Sequence, residues 1–289
     1  MQSNWVKKIS YYIIACMVLT LTCIPVLAQS YELKSSTISS GGGVSTSASY
    51  KLVGTVGQPS AGFSSNANLL HWIGFWAGEV PTPKVVTNIA DVKLLADGIL
   101  ISTTGKIVTS GVGDFSNFFY IEDPARISGI RVAAPPSAVV NIARGSVVNV
   151  IGTLGTTAFG ERQLVGPLVI ISSSTAPLAP LGMNNRSIGG GDLGNAHSGQ
   201  IGVTGGSGVN NVGLLVSTWG RVVEVDSGYV LVDDGGGPVR VDTTTLASQP
   251  LKGSYINVIG ISSLYVDTYT ADYLRLILPR NNKDIQKLN

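Results

Sequence analysis

The sequence is poor in the side chains that most often do covalent or metal chemistry. Cysteine occurs twice, as Cys16 and Cys23, and histidine twice, as His71 and His197. Both cysteines fall in the N-terminal stretch that reads below as removable. The remaining chain then has no disulfide, thiol nucleophile or cysteine metal site, and is held together by core burial. A Ser-His-Asp triad or a histidine-based zinc site needs an imidazole fixed by neighbouring groups. His71 sits in a short strand-and-turn region and His197 in a glycine-rich one, so neither is placed for that work. No cofactor or metal is expected. Charge is scarce too, at 12% of residues, and long Ala-, Leu-, Glu- and Lys-rich stretches are missing, which excludes a helical protein.

What is present points to strands. Thirty-six glycines accompany Val-, Ile-, Ser- and Thr-rich runs, the composition of short strands joined by tight turns. At the N-terminus, Lys7 and Lys8 precede an apolar core from Ile13 to Leu21. Pro25 and Val26-Leu27-Ala28 follow, so residues 1–28 read as a secretory signal cleaved before Gln29. A retained anchor is the competing reading, but the apolar run is short for a membrane span. Without Lys7 and Lys8 the chain carries 17 basic and 17 acidic residues. That neutrality weighs against binding phosphate backbones non-specifically.

Composition divides the rest. Residues 31–78 alternate apolar and hydroxyl residues around Gly41-Gly42-Gly43 and Gly57-Gln58-Pro59, suggesting a small β-meander module. Residues 88–175 form a first globular unit. Residues 176–211 read as a linker, flexible over 182–211, where ten glycines fall. Residues 212–279 form a second unit, and 280–289 a polar tail.

The two units repeat one another. Gly105-Lys106-Ile107-Val108 matches Gly220-Arg221-Val222-Val223, and Tyr120-Ile121-Glu122-Asp123 matches Leu231-Val232-Asp233-Asp234. Gly145-Ser146-Val147-Val148-Asn149-Val150-Ile151-Gly152 matches Gly253-Ser254-Tyr255-Ile256-Asn257-Val258-Ile259-Gly260. Five strands are expected in each: 99–109, 117–122, 129–133, 147–154 and 161–171, then 214–225, 228–233, 238–242, 255–261 and 272–278. A crossover between the third and fourth strands is the order of the OB barrel, with two small sandwich halves as the alternative. The expected fold is therefore all-β: two tandem five-stranded OB-like barrels preceded by a small β-meander module.

The run Phe118-Phe119-Tyr120-Ile121-Glu122-Asp123-Pro124 with Ser128-Gly129-Ile130-Arg131-Val132 resembles secreted bacterial tandem OB-like repeats of poorly defined function. Gly54-Thr55-Val56-Gly57-Gln58-Pro59 and Gly74-Phe75-Trp76 resemble a Gly/Ser-rich module of exported bacterial proteins. The resemblance implies export and brings no catalytic motif.

Two features carry candidate chemistry. Glu122-Asp123 and Asp233-Asp234 occupy equivalent positions, where paired carboxylates suit a hydrolase or calcium. Asp-rich hairpin turns are the competing reading, and Asp234-Gly235-Gly236-Gly237-Pro238 fits it. The second feature is the outer face of strands two and three. If Ile121, Ile130 and Val132 point inward, alternation turns Phe118, Tyr120 and Arg131 outward, with Tyr229, Leu231 and Arg240 equivalent. OB barrels bind oligonucleotides or oligosaccharides on this face; packing against a neighbouring domain is the alternative. The expectation is a non-catalytic protein, secreted, periplasmic or at the cell surface, that binds polysaccharide or another extracellular protein or serves as a structural module. The alternatives are an exported single-stranded nucleic-acid binder and, less favoured, a hydrolase using the paired acids.

Overall fold

The computed structural model describes residues 41–46, 51–56, 62–66, 69–73, 82–133, 142–194 and 199–288. The expected signal segment 1–28, His197, and Phe75 and Trp76 lie outside them. Strands β1 (Gly41–Thr46) and β2 (Lys51–Val56) pair antiparallel, and β3 (Gly62–Asn66) and β4 (Leu69–Ile73) form a second two-stranded sheet.

The larger body begins with β5 (Lys84–Val85) and one short helix, α1 (Ile89–Lys93). Next come β6 (Leu100–Ser110), β7 (Phe118–Glu122), β8 (Gly129–Ala133), β9 (Ser146–Thr156) and β10 (Arg162–Ser174). These pair in the order β6-β7-β8-β10-β9, and β9 closes back onto β6. Only β8 and β10 run parallel within the ring. That closed order is the OB barrel, and closure removes the exposed edges. The second sheet consists of β11 (Leu181–Gly182), β12 (Leu215–Asp226), β13 (Tyr229–Asp233), β14 (Pro238–Asp242), β15 (Tyr255–Val266), β16 (Tyr273–Leu278) and β17 (Ile285–Leu288). Its ring runs β12-β13-β14-β16-β15, closed by β12 against β15.

Alternation along the strands builds each core. Ile101, Val108, Ile121, Ile130, Val132, Val148, Val150 and Leu164 fill barrel 1. Val216, Val222, Val230, Val232, Val239, Val241, Ile256, Val258 and Ile277 fill barrel 2. Each barrel also has a lid supplied by the chain just before its first strand. Ile89 and Val92 of α1 plug barrel 1, and Ile188, after a 3-10 turn at Asn185–Ser187, plugs barrel 2. The lead-in strands β5 and β11 both pair parallel with the first strand of their ring.

The lid of barrel 2 overturns the expectation that 182–211 is a flexible linker. Ile188, Asn185, Gln200, Val203, Asn210 and Asn211 are buried. Asn211 Oδ1 accepts hydrogen bonds from the Gly189 N–H and the Ser262 hydroxyl, both at 2.7–2.8 Å. The glycines serve contact here. A Cβ on Gly206 would lie 2.5 Å from the Gly190 carbonyl oxygen, so the backbone folds on itself more closely than side chains permit. With its described parts packed, this segment belongs to the same body as the barrels.

Candidate functional site

The face built by β7 and β8 is outward with respect to barrel 1, as alternation predicts, but its central residue does not meet solvent. Tyr120, expected there as an exposed ligand contact, is fully buried. Its ring joins Leu215 and Ile261 of barrel 2 in a separate apolar cluster, with Phe115, Phe118, Ile259 and Leu278 packed around it. Phe115 stacks on Phe118 with ring centroids 4.8 Å apart, and Tyr120 meets Phe118 edge-on at 5.8 Å. The Arg131 guanidinium lies 3.6 Å above the Phe118 ring. Phe118 and Arg131 stay half-buried. The expected binding face of barrel 1 is thus corrected to a seam against barrel 2. The reason is that Leu215, Ile259, Ile261 and Leu278 make the outer surface of barrel 2 apolar where the two meet.

Sequence reasoning missed the polar half of this seam. Glu161, buried just ahead of β10, accepts from the Tyr120 hydroxyl at 2.8 Å and the Ser263 hydroxyl at 3.1 Å. Arg131 approaches the same carboxylate at 3.9 Å. Burial raises the pKa of Glu161, opposed chiefly by Arg131, and burial followed by the Glu161 charge raises that of Tyr120. Lys93, at the end of α1, donates from Nζ to the Val212 carbonyl at 2.5 Å. Burial lowers its pKa to about 8, against the pull of Glu161, Asp123 and Glu122. A buried acid outside any motif leaves no signal in a single sequence.

The paired acids are engaged, not free. Glu122 is buried and accepts from the Leu215 N–H at 2.6 Å and from Arg126 Nε at 2.8 Å. Arg126 donates in turn to the Leu215 carbonyl at 3.1 Å and to that of Ala179. Together the two side chains grip the donor and acceptor of one residue at the start of β12. Burial raises the Glu122 pKa, partly offset by the Leu215 N–H. Asp123 caps α1 by accepting from the Ile89 N–H at 3.0 Å and pairs with Lys106 at 2.5 Å. In barrel 2, Asp234 accepts from the Asn185 N–H at 2.8 Å and so holds the other lid. Asp233 accepts from Gly235 and Gly237 in its own turn. Each repeat therefore spends its second acid on fastening its lid. Among the described residues no group of three or more acidic, histidine or cysteine side chains could hold a metal.

The equivalent face of barrel 2 is open. Tyr229, Leu231 and Arg240 are half-buried, and among the described residues none of them joins an apolar cluster with barrel 1. The Arg240 guanidinium lies 3.8 Å from the centre of the Tyr229 ring and 4.7 Å from that of Tyr265, so two rings hold it in place. The Tyr229 hydroxyl donates to Asp226 at 3.0 Å, with Glu224 as an alternative acceptor at 3.2 Å, and the Asp226 bond raises the tyrosine pKa. The result is a small aromatic surface with a fixed guanidinium and two exposed carboxylates.

No protein family and no curated protein matches the chain. Among solved structures, one described as a murine DNA binding protein bound with ds DNA aligns at 9% identity and a TM-score of 0.33, over 64% of this chain and 92% of that one. A multidomain protein with nucleic acid binding domains from Streptococcus pneumoniae aligns at 16% identity and a TM-score of 0.16, over 60% of this chain and 44% of that one. At these scores neither likeness carries an argument about function.

Proposed function

We propose that the chain is an exported, non-catalytic binding protein in which barrel 2 presents the ligand face and barrel 1 is its fixed support. The observation that supports this is the contrast at the centre of the equivalent faces: Tyr120 is fully buried in the seam, whereas its counterpart Leu231, beside Tyr229 and Arg240, is only half-buried. Extracellular or cell-wall polysaccharide is the ligand class that fits. Aromatic rings stack on sugar rings, while Arg240, Asp226 and Glu224 supply donors and acceptors for hydroxyls. The two carboxylates beside Tyr229 oppose a phosphate backbone, which needs clustered cations. Export rests on the signal-like residues 1–28, and the non-catalytic reading on the engagement of the paired acids.

Titration of the purified protein with soluble cell-wall and extracellular polysaccharides tests this. Tyr229→Ala and Arg240→Ala should each weaken binding about tenfold or more, the loss of roughly 1.4 kcal/mol, and added salt should matter little. Binding that ignores both substitutions, or that appears only with single-stranded DNA and collapses as salt rises, would overturn it.

A further inference from the structure

A cleft of about 760 Å³ opens where the β6–β7 loop of barrel 1, with Phe115 and Ser116, faces Thr245 and residues 280–283 of barrel 2. A recess of about 200 Å³ shares Phe115, Ser116 and Thr245 with it and continues over Phe118 and Leu278. We propose that this cleft is a second binding site, for a neutral oligosaccharide. It takes its ligand class from the reading above but uses none of the residues of the barrel 2 face.

Three observations select that class. The wall is aromatic: Phe115 lines the cleft, and Phe118, stacked on it at 16° between planes, lines the adjoining recess; both rings are half-buried. They are already ordered, so a sugar ring stacking there would cost little side-chain entropy. The charges of the cleft are mostly engaged within the protein, Asp242 of the recess accepting from the Thr244 N–H and hydroxyl at 2.7 and 2.6 Å. Asp114 is paired with Arg144 at 2.7 Å, and Arg280 is paired with Asp284 at 2.8 Å. Lys283 is the one basic side chain lining the cleft without a carboxylate partner among the described residues. A phosphate or uronate chain would meet a single free cation, whereas a neutral chain needs none. The remaining groups are those that bind sugar hydroxyls: Ser116 and Thr245 are exposed, and Asn281 and Asn282 use their Oδ1 atoms within the protein. Among the described residues their amide NH₂ groups have no acceptor and are left to donate.

The cleft is also braced. Arg280 donates from one side to the Thr109 carbonyl on the other at 2.9 Å, so both walls are fixed before any ligand arrives. Preformed clefts of this size between domains are the usual place for small ligands.

The test titrates the purified protein with cellohexaose, xylohexaose, maltohexaose and chitohexaose, following the phenylalanine ring protons by saturation-transfer NMR. At least one hexaose should bind with transfer to phenylalanine. Ser116→Trp and Thr245→Trp, both exposed positions that fill the cleft, should each weaken it at least tenfold with an unchanged melting temperature. The same loss should appear in a Tyr229→Ala background. Hexaose binding that is lost with Tyr229→Ala but indifferent to both tryptophans would sink the cleft and leave the barrel 2 face standing. Loss with the tryptophans alone would sustain the cleft and remove the face. Failure of all four sugars, or salt-sensitive binding of a thymidine decamer in the cleft, would overturn this proposal.

Discussion

The two barrels share a strand order and a register, yet their equivalent faces have opposite fates. In barrel 1 the β7–β8 face carries Phe118, Tyr120, Glu122, Gly129 and Arg131; in barrel 2 the same positions are Tyr229, Leu231, Asp233, Pro238 and Arg240. The stacked Arg–aromatic pair survives in both. What differs is the equipment for docking. Tyr120 has a hydroxyl that reaches Glu161, and Glu122 is long enough to reach the Leu215 N–H. Gly129 lets the Gly213 backbone approach, and its counterpart Pro238 is exposed. The difference teaches that an outward face on a barrel is only a permission. Whether it docks a domain is decided by a few residues around the retained stack.

The sharpest way to break the comparison is to remove the grip. Glu122→Ala leaves the Leu215 N–H and the Arg126 guanidinium without their carboxylate in a buried seam, a situation that typically costs about 3–5 kcal/mol. Asp233→Ala, the equivalent change in barrel 2, removes only two turn hydrogen bonds at an accessible site and should cost about 1 kcal/mol. Chemical denaturation of both variants measures the gap. Equal losses would mean that the seam contributes nothing beyond a turn.

Backbone approach is the next test. Gly213 has a φ of +90°, and a Cβ placed on it would lie 2.5 Å from the Gly129 carbonyl oxygen. A Cβ on Gly129 would in turn run into the Gly213 carbonyl. Gly129→Ala should therefore destabilise by about 1–3 kcal/mol, the usual cost of overpacking, whereas Pro238→Ala should stay within about 0.5 kcal/mol. If Gly129→Ala is silent by thermal melting, the barrels are not held this closely.

The conserved geometry of the stack gives a finer comparison, because one interaction is seen in two environments. Double-mutant cycles on Phe118 and Arg131 should yield a coupling near 2 kcal/mol, since the pair is partly desolvated by the seam. The Tyr229 and Arg240 cycle should yield about 0.5–1 kcal/mol. Equal couplings would place both pairs in the same surroundings and undo the distinction between seam and open face.

Much of this architecture was legible in the sequence. Every ring strand lies close to its expected span: β8 and β14 coincide with theirs, and β15 runs on to Val266 instead of stopping at 261. Periodicity two and glycine punctuation suffice for that, because strand cores depend on local alternation. The orientation of Phe118, Tyr120 and Arg131 away from the barrel interior was legible for the same reason. The burial of Tyr120 was not, since it depends on barrel 2 surface residues from Leu215 to Leu278, far along the chain. The lid of barrel 2 was hidden because glycine and asparagine composition is common to loose linkers and to backbone packed at close range. Only the packing separates the two, through contacts such as Gly190 with Gly206.

Those lids supply the last comparison. Barrel 1 closes with α1, whose final residue Lys93 is buried against the Val212 carbonyl, while barrel 2 closes with the uncharged Asn185 and Ile188. Asn185 satisfies its side chain through Val232, Gly237 and Thr218 and has nothing to titrate. Lys93 does. Burial holds its folded pKa at about 8, below the 10.5 of an exposed lysine, so the unfolded chain binds this proton more tightly than the folded one. Stability then rises with pH from about 8 to 10.5, as the desolvated charge is relinquished while the neutral amine still donates to Val212. Across pH 7 to 9 the gain from this group should be about 1 kcal/mol. Lys93→Met, similar in length and uncharged, should remove that slope while keeping the apolar stem. Asn185→Ala should lower stability by a pH-independent amount. Denaturation midpoints at pH 7, 8 and 9 for the three proteins measure this directly. A slope that persists in Lys93→Met would mean that another group titrates there, and that the charge beneath the first lid is not what distinguishes the barrels.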